Sequence, residues 1–157
     1  MGTILKEPQV VAVIKNGTVI DHIAAGNAMK IVHLLDLHNH PKRLSIGLNL
    51  PSEALGCKDL IKVEDRELSP QEVNKVAILA PDATISIVKD FEIANKFQIE
   101  LPDVIEGIIH CKNEQCITNS ESIIPIFYIH KQRREPLIQC KYCCQKLTLP
   151  EAQECSL

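Results

Sequence analysis

Four cysteines near the C-terminus constrain the fold of this chain more than any other feature. Cys111, Cys116, Cys140 and Cys143 form a C-x4-C-x23-C-x2-C pattern. Two cysteine-bearing turns, separated by a length that accommodates a few strands, can place four thiolates at the corners of a tetrahedron around one zinc ion. Four thiolates leave no open coordination position. The pattern therefore predicts one structural zinc ion per chain, whose binding contributes folding energy to a small C-terminal domain.

The redox environment decides between a metal site and its alternatives, disulfide bonds or scattered buried thiols. The chain has seven cysteines, an odd number. Residues 1–8 carry Lys6 and Glu7 and lack an apolar run, so we expect no cleavable signal peptide and a reducing, cytoplasmic location. That environment favours thiolate ligands for zinc over disulfide bonds.

Three cysteines fall outside the four-cysteine pattern. Cys144 directly follows Cys143 and can compete with it as a ligand, but the two-residue spacing from Cys140 favours Cys143. We expect Cys57 and Cys155 to be free thiols.

Length, composition and net charge limit the classes of protein to which this chain can belong. The 157 residues suit one domain or two small ones, and the core must be aliphatic because only 3% of the residues are aromatic and none is Trp. A net charge of −3 gives no general attraction to nucleic acid or to a membrane surface. The apolar runs are far shorter than a membrane span, so we expect no membrane partner.

The N-terminal two-thirds of the chain combines strand signals with two helical patterns. Asn16-Gly17 separates two apolar runs and predicts a hairpin turn. A loop that carries Pro51, Gly56 and Lys58 is expected between the next two strands. The strands are predicted at 10–14, 18–23, 43–50, 59–63, 84–89 and 91–99, and the helices at 24–37 and from Pro70 to just before Pro81.

The second helix has the clearest start. Ser69 is a good N-cap, Pro70 fits the first helical position, and Glu72 completes a capping box. The order of strand, helix, strand, strand, helix, strand, with an extra strand, predicts an α+β fold. We expect a ferredoxin-like two-layer sandwich, in which two helices cover an antiparallel sheet.

The periodic pattern stops at Leu101-Pro102-Asp103, which we interpret as a domain boundary. We expect residues 1–101 to form the α+β domain and residues 102–157 to form a small antiparallel β domain of the zinc-ribbon type. Short strand-like runs in the second region lie at 123–130 and 137–139.

Motifs for catalysis are missing from the sequence. It contains no glycine-rich dinucleotide motif, no phosphate-binding loop, no nucleophile elbow and no His-Glu-x-x-His, so we do not expect an enzyme. His33, His38 and His40 lie on or beside the first helix in no ligand-like pattern, and we expect surface or capping roles for them. Asp21 and His22 are adjacent at a strand end, where they can hydrogen-bond a ligand or cap a turn.

Four segments, taken in order, resemble the regulatory chain of aspartate carbamoyltransferase, and the likeness spans residues 9–145. It implies a non-catalytic subunit of pyrimidine biosynthesis. Its N-terminal domain would bind nucleoside triphosphates, with CTP favouring the less active state of the enzyme and ATP the more active one. Its zinc domain would dock on the catalytic chain, and regulatory homodimers would bridge catalytic trimers. The segments are Thr18-Val19-Ile20-Asp21-His22-Ile23, Ile46-Gly47-Leu48-Asn49-Leu50-Pro51-Ser52, Lys58-Asp59-Leu60-Ile61-Lys62-Val63-Glu64 and the four cysteines.

The resemblance also implies which residues contact the effector. Lys62 and Lys96 can approach triphosphate oxygens, with Lys58 a weaker candidate, and Asp21 suits a ribose hydroxyl. Without the resemblance, each lysine would be interpreted as a solvated surface charge. The implied set is Val11, Asp21, His22, Lys58, Lys62, Ser86, Val88, Phe91, Ile93 and Lys96, and backbone groups of residues 11–14 and 84–91 can read the base edge.

Three positions depart from the residues that are common in the family. Ala12 stands where an acidic residue is common, Ser86 where Asn is common, and Phe91 where Tyr is common. A shorter hydroxyl and a missing phenol weaken specific hydrogen bonds to a nucleotide. We expect these departures to affect base preference and not the fold.

A zinc-ribbon nucleic-acid-binding regulator with an α+β ligand domain is the alternative from another functional class. Lys131, Arg133 and Arg134 lie beside Phe127 and Tyr128, as in a basic patch with aromatic residues. Net acidity and the small number of cations that could release counterions oppose this interpretation. Docking on a protein fits better, because rigid metal-bound turns would display residues 113–115 and 141–142.

Overall fold

The computed structural model describes residues 13–156, which form an α+β fold with two antiparallel sheets, as the sequence predicts. The N-terminal part contains β1 (Gly17–Ala24), α1 (Ala28–Leu34), a 3₁₀ turn (Leu37–Asn39), β2 (Leu44–Ser52), β3 (Gly56–Glu64), α2 (Pro70–Leu79), β4 (Thr84–Lys89) and β5 (Glu92–Gln98). The C-terminal part contains β6 (Val104–Glu106), α3 (Ile117–Ser120), β7 (Ile126–His130), β8 (Leu137–Cys140), β9 (Lys146–Thr148) and α4 (Leu149–Glu154).

The N-terminal sheet has the strand order β2-β3-β1-β4-β5, and every neighbouring pair is antiparallel. Ile20, Ile61 and Ile85 lie side by side on β1, β3 and β4 and are fully buried in one cluster with residues of α1 and α2. Because strand side chains alternate between faces, their neighbours Val19, Lys62 and Ser86 lie on the opposite face. We call this second face the open face, because the helices do not cover it.

The hairpin predicted at Asn16-Gly17 does not form within the part of the chain that the structure describes. Residues 13–14 are not in a strand, and residues 10–12 lie outside the described residues. β1 is a central strand whose two edges pair with β3 and β4, so neither edge can accept a preceding strand. The backbone and side-chain oxygens of Asn16 instead accept the amides of Asp65 and Asp90, which joins three loops at one end of the sheet.

Two further local predictions were wrong. The helix predicted at 24–37 is shorter, because Asp36 adopts a left-handed conformation with φ of 54° after α1 ends. The predicted loop between β2 and β3 is a hairpin instead, with Pro51, Gly56 and Lys58 inside the strands. Proline is tolerated there because β2 is an edge strand, in which one side of the backbone has no ladder partner.

The start of α2 confirms the predicted capping box. The amide of Glu72 donates to the hydroxyl of Ser69, and the amide of Ser69 donates to the Glu72 carboxylate at 2.9 Å. The same carboxylate pairs with Arg66. Burial alone would raise the pKa of Glu72, but the Ser69 amide and the Arg66 guanidinium outweigh it and hold the pKa below its ordinary value.

The C-terminal sheet has the order β6-β7-β8-β9, and its core also reaches the N-terminal helices. Ile78 of α2 is fully buried in the C-terminal cluster, and its carbonyl accepts the side-chain amide of Gln153 at 3.0 Å. Leu34 and Leu101 pack against both clusters. The two parts of the chain therefore share a packed apolar contact. Across residues 13–156, no helix is long and apolar enough to cross a bilayer.

Candidate metal centre and ligand pocket

The sulfur atoms of Cys111, Cys116, Cys140 and Cys143 lie within 4.8 Å of one another. The Sγ atoms of Cys111 and Cys143 are 3.5 Å apart, and those of Cys116 and Cys140 are 3.8 Å apart. Sulfurs at about 2.3 Å from a tetrahedral zinc ion are separated by about 3.8 Å. The donor set and its spacing therefore fit one tetrahedral metal ion.

Two loops beside the C-terminal sheet hold these sulfurs. The first cysteine pair lies between β6 and α3, and the second lies at the end of β8 and in the turn to β9. In the first loop, the Asn119 side-chain amide donates to the carbonyls of Cys111 and Asn113, both at 2.8 Å. In the second loop, the amide of Cys144 donates to the carbonyl of Cys140 at 3.0 Å. These hydrogen bonds fix the loops independently of the sulfurs.

The thiols differ in how readily they ionise. Burial and the neighbouring thiols raise the pKa of Cys111 well above its ordinary value, and burial also raises the pKa of Cys140. Burial opposes ionisation of Cys116 as well, but hydrogen bonds from the hydroxyl and amide of Thr118 lower its pKa to about 7. Four crowded thiolates repel one another, and a bound divalent cation removes that repulsion.

The remaining cysteines lie outside the cluster. Cys144 is exposed and has a positive φ of 63°, and Cys143 supplies the fourth sulfur. Cys57 is an exposed free thiol and Cys155 a buried one, as expected from the sequence. Burial raises the pKa of Cys155.

A row of residues in register crosses the open face of the N-terminal sheet. Lys62 of β3 lies opposite Val19 of β1, Val19 lies opposite Ser86 of β4, and Ser86 lies opposite Lys96 of β5. Strands are about 4.8 Å apart, so the Cα atoms of the two lysines are about 14 Å apart. Their four-carbon stems allow both ammonium groups to approach one anion between them.

A cavity of about 220 Å³ opens beside this row. Its surface is mostly apolar, with one ammonium group and one hydroxyl, which suits a flat heterocycle that carries negative charge at one end. The Phe91 side chain is 63% exposed at the rim of the cavity. Its backbone has a φ of 66° and lies in the turn between β4 and β5. The cavity is lined by Val13, Ile14, Val19, Lys62, Ser86, Val88, Phe91 and Ile93.

Asp21 lies in the next row of the open face and is paired within the protein. Its Oδ1 lies 2.9 Å from Nζ of Lys58 and accepts the amide of His22 at 2.6 Å. Burial would raise the pKa of Asp21, but these two partners outweigh burial and the pKa lies below its ordinary value. Partial burial lowers the pKa of Lys62, and the charge of Asp21 opposes that shift. Lys58 is thus paired with Asp21, and Lys62 lines the cavity.

Not every predicted effector residue reaches the cavity. Five of them do: Lys62, Ser86, Val88, Phe91 and Ile93. His22 sits at a bulge with φ of 58° and lines a separate cavity of about 470 Å³, and its Nδ1 is buried without a hydrogen-bond partner among the described residues. Asp21 and Lys58 form their own pair, and Lys96 is exposed on the edge strand. Val11 and Ala12 lie outside the described residues.

Val19 lines the cavity and was absent from the predicted set. Strand alternation contained the signal, because Val19 lies two residues before Asp21 and so shares its face. Residues 13–14 also line the cavity, in a segment for which the sequence suggested contact with the base edge through backbone groups.

Two family models match the chain. The model described as aspartate carbamoyltransferase regulatory chain, allosteric domain, matches residues 9–100, and the metal binding domain of the same chain matches residues 103–153. The aspartate carbamoyltransferase regulatory chain of Pyrococcus abyssi is 48% identical over 136 residues, which cover 85% of this chain and 88% of its own. Those of Thermococcus kodakarensis and Vibrio campbellii are 49% and 42% identical and cover 85% and 88% of this chain, and 88% and 91% of their own.

These matches confirm the resemblance that the four sequence segments indicate, and they favour it over the nucleic-acid-binding alternative. The allosteric match spans the sheet that carries the cavity, and the metal-binding match spans the four cysteines. The chain therefore belongs to the family of aspartate carbamoyltransferase regulatory chains, as a non-catalytic regulatory subunit with an allosteric and a metal-binding domain.

Proposed function

We propose that this chain binds a nucleoside triphosphate on its open face and passes the effect to an aspartate carbamoyltransferase catalytic chain docked on its zinc-bound C-terminal domain. The observation that carries the proposal is the register row, in which Lys62 and Lys96 stand on either side of Val19 and Ser86 next to an apolar cavity. Two cations flanking an apolar cavity suit a base with a polyphosphate.

In the proposed complex, the base lies in the cavity against Phe91, Val88 and Ile93, and the triphosphate approaches Lys62 and Lys96. The Ser86 hydroxyl can donate to or accept from the base edge, whereas the amide of an asparagine would offer both a donor and an acceptor group. The Phe91 ring can stack on the base but has no hydroxyl to donate. CTP and ATP are the proposed effectors, and these two residues are the proposed determinants of base preference.

Asp21 is the proposed partner of the ribose hydroxyls, and His22 and Lys58 complete the polar side of the site. Asp21 lies one row beyond Val19, about 6.7 Å further along the strand. This distance is comparable to the size of a ribose, so a ribose next to a base in the cavity can reach Asp21. Its carboxylate is held by Lys58 and the amide of His22, so it meets a ligand in a fixed orientation. Val11 completes the residues that we assign to the effector.

We propose that Cys111, Cys116, Cys140 and Cys143 hold one Zn²⁺. With four sulfur ligands the ion supplies folding energy and no open position for chemistry. The same domain carries exposed apolar side chains between the second cysteine and β7, Ile117 and Ile124 among them, the latter 65% exposed. Such a surface suits docking on a protein.

The proposed assembly places two copies of this chain together through their N-terminal domains, where they bridge catalytic trimers. The proposed domains are residues 1–101 and 102–157. We assign the protein to the cytoplasm, because none of its seven cysteines forms a disulfide bond and a reducing environment keeps the four proposed zinc ligands available.

Regulation requires that effector binding differ in free energy between two quaternary states of the enzyme, and such couplings are typically about 1 to 3 kcal/mol. We propose that CTP favours the less active state and ATP the more active one. The contact between α2 and the C-terminal core, through Ile78 and Gln153, connects the two domains physically.

The experiment mixes the zinc-loaded chain with a cognate catalytic trimer, measures the mass of the product, and records aspartate saturation with and without CTP and ATP. A larger complex whose activity responds to both nucleotides supports the proposal. A complex that ignores nucleotides refutes the effector site alone. Metal-free chain should fail to assemble yet keep part of its nucleotide binding, and normal assembly without zinc would refute the docking role of the metal domain.

A further inference from the structure

Asp59 of β3 is a fully buried carboxylate without a cationic partner. The residue is 0% exposed, and within residues 13–156 no ion pair includes it. Backbone amides donate to it instead. The amides of Gly26 and Ala28 donate to Oδ2 at 3.0 and 3.2 Å, and the amide of Asn49 donates to Oδ1 at 3.0 Å. Such amides can stabilise a buried carboxylate, and here they come from two separate segments of the chain.

The carboxylate of Asp59 lies between two β-bulges. The register of β3 with β1 shifts by one residue at positions 20–23, and its register with β2 shifts by one residue at positions 47–50. His22 and Asn49 lie in these bulges and have left-handed φ values of 58° and 55°. Bulges change the direction of side chains and persist where other contacts hold them. Asp59 holds the β2 bulge directly, and it holds the turn between β1 and α1 just after the β1 bulge.

The neighbour of Asp59 in sequence belongs to the polar side of the open face. Because strand side chains alternate, Asp59 shares the covered face with Ile61, and Lys58 lies on the opposite face. Nζ of Lys58 contacts both oxygens of Asp21, Oδ1 at 2.9 Å and Oδ2 at 3.2 Å. Oδ1 also accepts the amide of His22. Both lone pairs of Oδ1 are thereby used, and Oδ2 keeps one lone pair for a hydroxyl of a ligand.

We propose that Asp59 is a positioning residue of the effector site, an inference that rests on the proposed function. It cannot touch the ligand, because it is fully buried on the covered face. By holding the segments on either side of β3, it keeps Lys58 and Asp21 in the geometry that leaves one oxygen of Asp21 available to the ribose. An asparagine at position 59 would have one oxygen and one amide group, so at least one backbone amide would face another donor.

The test compares CTP with 2′,3′-dideoxy-CTP in calorimetric titrations of the full zinc-loaded chain. In the unmodified chain, loss of the ribose hydroxyls should weaken binding by about tenfold or more, as loss of a hydrogen bond to a charged group does. In Asp59→Asn, the two nucleotides should bind within about twofold of each other, and the Kd of dideoxy-CTP should stay within about twofold of its unmodified value. A loss of stability alone would affect both nucleotides equally.

Two variants are the controls. Asp65→Asn makes the same chemical change at an exposed aspartate just after β3, where asparagine tolerates the φ of 56°. Ile61→Val destabilises the covered face of β3 by removing one buried methyl group and leaves the Asp59 carboxylate in place. Both variants should keep the preference of the unmodified chain for CTP over dideoxy-CTP.

Hydrogen exchange on the unmodified chain provides a measurement that does not depend on whether Asp59→Asn folds. A ligand held by Asp21 should stabilise the arrangement on which that contact depends. CTP should therefore slow exchange of the three amides that donate to Asp59, and dideoxy-CTP should slow it less.

The inference is overturned if Asp59→Asn keeps the preference for CTP, if the controls lose it as well, or if the three amides respond equally to the two nucleotides. These outcomes leave the proposed function intact, because CTP still binds. An unmodified chain that binds both nucleotides equally would refute the assignment of Asp21 to the ribose and this inference with it. An unmodified chain that binds neither would refute the proposed effector site itself.

Discussion

Replacing Lys62 with Met should weaken triphosphate binding far more than nucleoside binding. Methionine keeps an unbranched apolar stem of similar length, so the wall of the cavity is retained while the ammonium group is lost. The nucleoside meets the same apolar surface in both proteins. The triphosphate loses a cation on one side of its path across the sheet.

The magnitude follows from the burial of the lysine. Partial burial lowers the pKa of Lys62, which indicates that its ammonium group is less solvated than one at an open surface. Two unit charges 4 Å apart interact by about 1 kcal/mol in water but by about 4 kcal/mol at an effective dielectric constant near 20. After desolvation, a charge-assisted hydrogen bond contributes about 1.5 to 3 kcal/mol, which is about 10- to 150-fold in Kd. Lys96 is exposed, so Lys96→Met should cost under about 1 kcal/mol.

Calorimetric titration of the full chain with CTP and with cytidine measures both effects. Lys89→Met is the control, because Lys89 is exposed, pairs with Glu67 at 3.3 Å and does not line the cavity. Equal losses for CTP and cytidine in Lys62→Met would mean that the lysine acts only through fold stability. A larger loss in Lys96→Met than in Lys62→Met would refute the reasoning from burial.

Three other outcomes are expected. Cys143→Ser should lose the bound zinc, whereas Cys144→Ser should retain one equivalent in a colorimetric metal assay, since the Cys144 sulfur lies outside the cluster. Gly17→Ala should cost about 3 kcal/mol or more in chemical denaturation, because a Cβ would lie 2.0 Å from a β3 carbonyl oxygen, whereas Gly26→Ala meets no atom within 4 Å and should cost about 1 kcal/mol. Wild type should exceed Glu72→Gln in stability by about 1 kcal/mol at pH 7. Because folding lowers the pKa of Glu72, that advantage is fully present above the ordinary glutamate pKa, and urea denaturation should show it being lost as the pH falls through the lowered pKa of the folded state.

The parts of the fold that sequence predicts are those set by neighbouring residues. The capping box at Ser69 and Glu72 depends on side chains three positions apart, and β4 occupies the predicted residues 84–89. The four sulfurs meet because their spacing in sequence suits two short loops. In each case a short stretch of chain contains both the signal and the interaction that it predicts.

The missed features depend on partners distant in sequence. Asn16-Gly17 has the chemistry of a hairpin turn, but β3 and β4 occupy both edges of β1, and residues 58–64 and 84–88 supply those edges. The proposed effector residues could be named only through the resemblance. Their placement on one face follows from strand order and register, which no local pattern contains.

The buried side chain of Ile78 indicates that α2 packs against more than one core. Residues 76–79 of α2 are four consecutive fully buried positions, and a helix turns by about 100° per residue, so they cannot all face one sheet. Val76, Ala77 and Leu79 belong to the N-terminal cluster, and Ile78 belongs to the C-terminal one. Ile78 falls outside the single apolar face that helical periodicity describes. One short helix therefore packs against the sheet that carries the cavity and against the core that contains the four cysteines, so a shift of either core must be accommodated by the other.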